Sequence, residues 1–108
     1  MGWVYILECS DATLYVGSTS ALAQRFEQHQ RGEGAAYTRR RLPVRLIWCA
    51  RFDRISEAFA FEKKVQGWSR AKKLALIEGR YDSGLWARGV KPSRMHIRTD
   101  HLPTITPW

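Results

Sequence analysis

The stretch Trp3–Gly17, WVYILECSDATLYVG, sets two tyrosines in matching apolar frames, Val4-Tyr5-Ile6-Leu7 and Leu14-Tyr15-Val16-Gly17. Residues 3 to 9 and 13 to 17 are rich in β-branched and aromatic side chains, and Ser10-Asp11-Ala12 between them are turn formers. The stretch therefore reads as a β-hairpin with one tyrosine on each arm. Period-2 alternation puts Trp3, Tyr5 and Leu7 on one face and Val4, Ile6 and Glu8 on the other. Both faces carry apolar residues, so alternation alone leaves the core face open.

Outward from the hairpin, Ser18-Thr19-Ser20 offers hydroxyl caps for a helix running to about Gln30 or Arg31, with Gly32 as its stop signal. On a helical wheel Arg25 and His29 share an edge with the apolar Leu22 and Phe26, which turns both toward whatever the helix packs on. Residues 32 to 43, GEGAAYTRRRLP, combine glycines, three arginines and a proline and read as an exposed basic loop. Pro43 introduces a third strand, Val44–Phe52, apolar enough to be covered on both faces. Ser56 is expected to cap a second helix through Gln66, stopped by Gly67, and Ser69 a third ending at Gly79. In the second of these, Glu62 lies inside the apolar arc of Ala58, Phe61 and Val65.

The element order is ββαβαα, an α+β (mixed α/β) arrangement over residues 1–79. Residues 80–108 lose periodicity and hold three of the four prolines, Pro92, Pro103 and Pro107. They read as an irregular basic C-terminal tail, partly packed through Trp86.

A chain of 108 residues with 44% hydrophobic and 26% charged side chains suits one globular domain. Eighteen Lys and Arg against ten Asp and Glu leave a net charge of +8, which favours a polyanionic partner. No apolar run reaches the ~20 residues of a membrane span, and no leader pattern is present, so a cytoplasmic location without membrane attachment is expected. Cys9 and Cys49 lack a CxxC or Cys/His metal spacing and read as reduced structural thiols.

Two hairpin tyrosines, an arginine and histidine one helical turn apart and one carboxylate on a later helix match neither a nucleophilic triad nor a glycine-rich phosphate loop. They fit metal-assisted hydrolysis of a phosphodiester, which needs a group to activate water, a cation on the phosphate oxygens and often Mg²⁺. Arg25 presents a planar fork to phosphate, and Glu62 alone is enough for Mg²⁺ (or Mn²⁺), which commonly takes one or two carboxylates and fills its other positions with water and substrate. Tyr15 and His29 are assigned jointly to activating water, and Tyr5 to orienting that network through its hydroxyl.

These residues resemble the GIY-YIG nuclease superfamily and, within it, the small single-domain YhbQ-like (UPF0213) type. Trp3-Val4-Tyr5 stands for the first family tripeptide and Tyr15-Val16-Gly17 for the second. Arg25 with His29 matches the helix motif, Glu62 matches the metal-binding glutamate, and Gly34–Arg39 and Trp68–Lys73 look like segments of the small-protein type. The resemblance covers about residues 3 to 79. It implies a three-stranded antiparallel sheet flanked by about three helices and divalent-metal-dependent cleavage of DNA, with Tyr5, Tyr15, Arg25, His29 and Glu62 as the catalytic set. Branched or damaged DNA of repair or recombination is the substrate expected; RNA stays open as a partner, and a monomer is favoured. Trp3 departs from the first family glycine, and Leu74 or Lys73 stands where several relatives carry an asparagine.

Singly, each residue has a plainer reading: the tyrosines as strand core, Arg25 as a solvated helix residue, His29 as a core-edge histidine and Glu62 as the ion-pair partner of Arg25. Arg39, Arg40 and Arg41 form a candidate phosphate-tracking patch, Tyr37 is expected to stack on a base or pin its loop, and Lys72 and Lys73 complete the DNA-facing candidates. The alternative function is a catalytically weak or inactive nucleic-acid-binding module on the same scaffold.

Overall fold

A computed structural model describes residues 1–78 and the backbone of residues 94–96. Its elements run β1 (Gly2–Glu8), β2 (Leu14–Thr19), α1 (Leu22–Gln30), α2 (Ala36–Arg39), β3 (Arg45–Phe52), α3 (Ile55–Gln66), α4 (Arg70–Ile77) and β4 (Arg94–His96). The strands form one antiparallel sheet in the order β2-β1-β3-β4. The α+β class and the three-stranded antiparallel core β2-β1-β3 agree with the sequence reading. The single-turn helix α2 and the short strand β4 add to it. β4 falls in what reads as an irregular tail, and the remainder of that tail, including Trp86, lies outside the described residues.

The hairpin closes through Cys9–Thr13: Cys9 N–H donates to Thr13 O at 2.9 Å and Ala12 N–H to Cys9 O at 2.9 Å, with Ala12 at φ 69°. Asp11 Oδ1 accepts from both the Thr13 amide (3.2 Å) and hydroxyl (2.6 Å), the local side-chain bonding that suits aspartate to turns. Tyr5 pairs with Gly17 and Leu7 with Tyr15, so both tyrosines stand on one face.

Both faces are covered, which resolves the ambiguity in the hairpin's alternation. Val4, Ile6 and Val16, with Trp48, Ala50 and Phe52 of β3, pack under α3 and α4 through Ala58, Phe61, Val65, Leu76 and Ile77. Tyr5, Leu7, Val44, Leu46 and Cys49 pack under α1 through Leu22 and Phe26. A register shift lets Ile6 face Trp48 while Leu7 faces Leu46. That bulge sends Leu46 and Trp48 to opposite faces although they are two residues apart, since one extra residue inverts the side-chain period.

The caps differ in part from expectation. Ser69 does cap α4, accepting from the Lys72 amide at 3.2 Å. No side chain caps α1 or α3. Thr19 Oγ1 accepts from Ala21 N–H at 3.0 Å, and the Ser18 hydroxyl is engaged by Glu62 instead. Gly32, at φ 78°, ends α1 as expected, where glycine enters the left-handed region without steric cost. Cys9 and Cys49 are both buried free thiols, and burial pushes the Cys49 thiol up to about 12. Among the described residues no helix is long and apolar enough to cross a membrane.

Phe61 meets the rings of Phe52, Trp48 and Trp68 at centroid distances of 5.4, 6.4 and 6.1 Å and is 2% exposed. Phe61→Ala should therefore cost about 3–5 kcal/mol in urea unfolding, whereas Phe59→Ala on the same helix, at a ring 47% exposed, should change stability by less than about 0.5 kcal/mol.

Candidate active site

The site wraps around the free edge of β2. From the α1 face come Tyr5, Tyr15, Arg25 and His29; from the α3 face Glu62 reaches back to that edge. Tyr5 gets there because Gly17 opposite it has no side chain: a Cβ at Gly17 would stand 2.5 Å from the Tyr5 hydroxyl oxygen. The second tripeptide's glycine is thus a space requirement set by the first tripeptide's tyrosine.

Tyr5 Oη and His29 Nε2 lie 2.8 Å apart, and His29 Nδ1 lies 2.8 Å from Thr38 Oγ1. The tautomer follows from counting protons. Thr38 has one hydroxyl proton and donates it to Ala35 O at 3.2 Å, so its oxygen accepts from His29 Nδ1–H. His29 Nε2 is then unprotonated and accepts from Tyr5 O–H. His29 and Thr38 are both fully buried, and burial, aided by the Arg25 charge, holds His29 down to about 4, a neutral imidazole at neutral pH. Burial likewise pushes Tyr5 up to about 12 against the opposing pull of Arg25, and raises Tyr15 above its ordinary value. Neither tyrosine is a phenolate at neutral pH.

Arg25 is half-buried and braced by two acceptors, Gln28 Oε1 at 3.1 Å and Gly34 O at 3.0 Å. Its charge bears on Tyr5, Tyr15 and His29, while the Glu62 charge raises both tyrosines, so the five side chains share one electrostatic neighbourhood. Tyr15 lies 6.5 Å from Tyr5 and 5.3 Å from His29 between ring centroids.

Glu62 is half-buried and accepts from the Ser18 hydroxyl through one oxygen and from Gln66 Nε2 (2.6 Å) through the other. Gln66 also donates to Val16 O at 3.3 Å, tying α3 to the edge of β2. The charge in the apolar arc is therefore met by neutral donors. Two accepted bonds leave lone pairs on the carboxylate, so Glu62 suits a hard divalent cation that draws its other oxygens from water and substrate. Among the described residues no group of three or more His, Cys, Asp or Glu forms a metal cage.

The loop read as exposed carries more structure than its composition shows. It forms α2, buries Thr38 against His29 and brings Gly34 so close to the imidazole that a Cβ there would collide with the ring. Tyr37 stacks on Tyr15 at 6.0 Å and 25° between ring planes, and the Arg41 guanidinium sits 3.8 Å from the Tyr37 ring centre. Arg41 also donates to Asp11 Oδ2 (3.0 Å) and Tyr37 O (2.9 Å), so it latches the loop to the hairpin tip, whereas Arg39 and Arg40 are exposed. Lys72 and Lys73 lie on α4, packed on the face opposite α1, with Lys72 Nζ 4.6 Å over Trp68. Thr38, Ser18, Gln66 and Gly34 surround the five candidates without having been read as site residues; Ser18 meets Glu62 across 44 positions, whereas Gln66 lies one helical turn from it.

With this geometry in place, comparison with known proteins is decisive. A family model described as the GIY-YIG catalytic domain matches residues 1–75. The chain belongs to the GIY-YIG family. It is 47% identical over 75 residues to a UPF0213 protein of Natronomonas pharaonis, covering 69% of this chain and 88% of that one. A UPF0213 protein of Staphylococcus aureus is 42% identical over 78 residues, covering 72% and 95%. The solution NMR structure of a UPF0213 protein from Bacillus halodurans superposes with a TM-score of 0.50 at 35% identity, covering 86% of this chain and all of that one. Membership in this nuclease family agrees with the resemblance drawn from the sequence.

Two predictions follow from the histidine. Its folded-state value lies below the ordinary 6.5, so the unfolded chain binds the extra proton, and stability should fall by up to about 3 kcal/mol as pH drops from 6.5 towards 4. Urea titrations across that window should show a slope that flattens in His29→Gln. Thr38→Val leaves the buried Nδ1–H without its acceptor and should cost about 1–3 kcal/mol, with Thr38→Ser close to wild type.

Proposed function

We propose that this GIY-YIG protein is a divalent-metal-dependent endonuclease that hydrolyses DNA phosphodiester bonds, with Tyr5, Tyr15, Arg25, His29 and Glu62 as its working set. The observation that carries the reading is the meeting of all five around the β2 edge, with a neutral histidine hydrogen-bonded to a tyrosine and a carboxylate whose remaining lone pairs suit a cation.

Glu62 would hold Mg²⁺ (or Mn²⁺), which when bound polarises the phosphate and assists the departing oxygen. The chain's own groups supply the rest. Arg25, fixed by Gln28 and Gly34, presents its fork to the non-bridging oxygens and balances charge growing on them. Tyr15, the less buried tyrosine, meets the attacking water through its hydroxyl oxygen. Tyr5, His29 and Thr38 fix the wall behind it, the unprotonated Nε2 accepting the Tyr5 hydroxyl and so holding that ring in place. The water oxygen forms the new bond to phosphorus as the bond to the leaving sugar oxygen breaks, and the proton lost by water passes to the Tyr15 hydroxyl, which releases its own proton to solvent. The net charge of +8 favours the polyanionic substrate, and the exposed Arg39 and Arg40, with Lys72 and Lys73, are the proposed backbone contacts. Branched or damaged DNA is the proposed substrate.

A second reading, a catalytically weak or inactive nucleic-acid-binding module, is motivated by Leu74 or Lys73 standing where the family resemblance implies an asparagine; Leu74 packs against the apolar core.

Incubating the protein with branched, nicked and duplex DNA in Mg²⁺ or chelator separates the two. Cleavage should require the metal and fall by about 10²-fold or more in Glu62→Ala and Tyr15→Phe, the range of one lost acid–base or charge-stabilising group. Metal-independent cleavage, or cleavage indifferent to both substitutions, would refute the nuclease reading. Salt-sensitive binding without cleavage would support the second.

A further inference from the structure

Beside the five-residue site runs a cleft of about 440 Å³ between α1 and α3, lined by Ser18, Thr19, Ser20, Ala21, Gln24, Arg25, Gln28, Ile55 and Phe59. Ser18 and Arg25 belong to the site, Ser18 through its bond to Glu62. Phe59, 47% exposed, lines the cleft as well. Among the described residues the other exposed large apolar side chains are Met1 at the chain start and Tyr37, which is stacked on Tyr15. Phe59 is therefore an aromatic face turned to solvent at the edge of a polar cleft.

We propose that this cleft holds one unpaired nucleobase next to the scissile phosphate, stacked on Phe59 and met at its edge by Gln24. Three features of the cleft select this occupant. Phe59 precedes Glu62 by three residues on one helix, about 4.5 Å of axial rise, so a nucleotide with its phosphate at Glu62 and Arg25 carries its base towards Phe59. A cleft of this volume takes a nucleotide-sized group, and a base paired within a duplex has both faces covered, so it reaches a protein ring only when single-stranded or extruded. The polar lining suits a base edge: Gln24 is exposed and lines the cleft, whereas Gln28 already accepts from Arg25. Arg25 supplies the positive end for the attached phosphate. The inference rests on the nuclease reading for the position of the phosphate, and it narrows the substrate to DNA with an unpaired nucleotide, such as a flap, gap or branch point.

The test is binding by the full chain in chelator, where cleavage plays no part. The probes are a fluorescent short oligothymidine, a blunt duplex of equal length and a duplex with a single unpaired 2-aminopurine. Phe59→Ala should weaken binding to the oligothymidine by about 10-fold or more and abolish the 2-aminopurine quenching, Phe59→Trp should restore both, and affinity for the blunt duplex should be unchanged. Thermal unfolding of Phe59→Ala checks that the fold is intact. Equal binding of the single strand by wild type and Phe59→Ala would overturn the proposal, as would an equal loss for duplex and single strand. A protein that binds the single strand through Phe59 but never cleaves keeps this inference and discards the nuclease reading. A cleaving protein indifferent to Phe59 does the reverse.

Discussion

A buried hydrogen bond from Tyr5 to His29 constrains more of this molecule than any other contact. It joins the central strand β1 to α1 across a packed apolar layer, where an unpaired polar group would be costly. Making it requires a glycine at position 17 so that the ring can lie across β2, a glycine at 34 so that the loop can close over the imidazole, and a hydroxyl at 38 to occupy the other ring nitrogen. The loop that brings Gly34 and Thr38 is in turn held by Arg41 to Asp11 on the hairpin tip. Hairpin, helix and loop are thus parts of one polar assembly set into an apolar sheet.

The electrostatics follow from this packing. Burial keeps His29 neutral and both tyrosines protonated, so the site's charges are those of Arg25 and Glu62. Each is braced rather than neutralised: Arg25 by a carbonyl and an amide oxygen, Glu62 by a hydroxyl and an amide. A fixed cation and a fixed anion that do not consume one another keep their charges available, the preorganisation that the proposed phosphodiester hydrolysis would use. The aromatic stack of Tyr15, Tyr37 and Arg41 steadies the Tyr15 ring through its face rather than through its hydroxyl.

Much of this arrangement was legible in the chain. The apolar frames around Tyr5 and Tyr15 mark two strands, the turn formers between them close a hairpin, and helical spacing puts Arg25 and His29 on an inward edge and Glu62 inside an apolar arc. Local periodicity carries all of that. The loop 32–43 was harder, because glycines and arginines describe an exposed connection equally well whether or not one of its residues is buried. Thr38 is buried by His29, a partner nine positions earlier. The bulge in β3 was hidden for a similar reason: Leu46 and Trp48 share a parity in sequence, and only pairing with β1 separates their faces.

The sequence by itself determined the hairpin, the third strand and the three longer helices, which residues could do chemistry and that the molecule is basic, since these depend on side-chain type and on spacing within a few residues. Tertiary structure alone decided that Tyr5 rather than Tyr15 bonds His29, which tautomer the histidine holds, that Ser18 braces Glu62, and that Phe59 lines a cleft beside the site. Those outcomes depend on which groups from distant segments come within about 3 Å of one another, and hydrogen bonding at that range is set by the packed fold rather than by the order of residues along the chain.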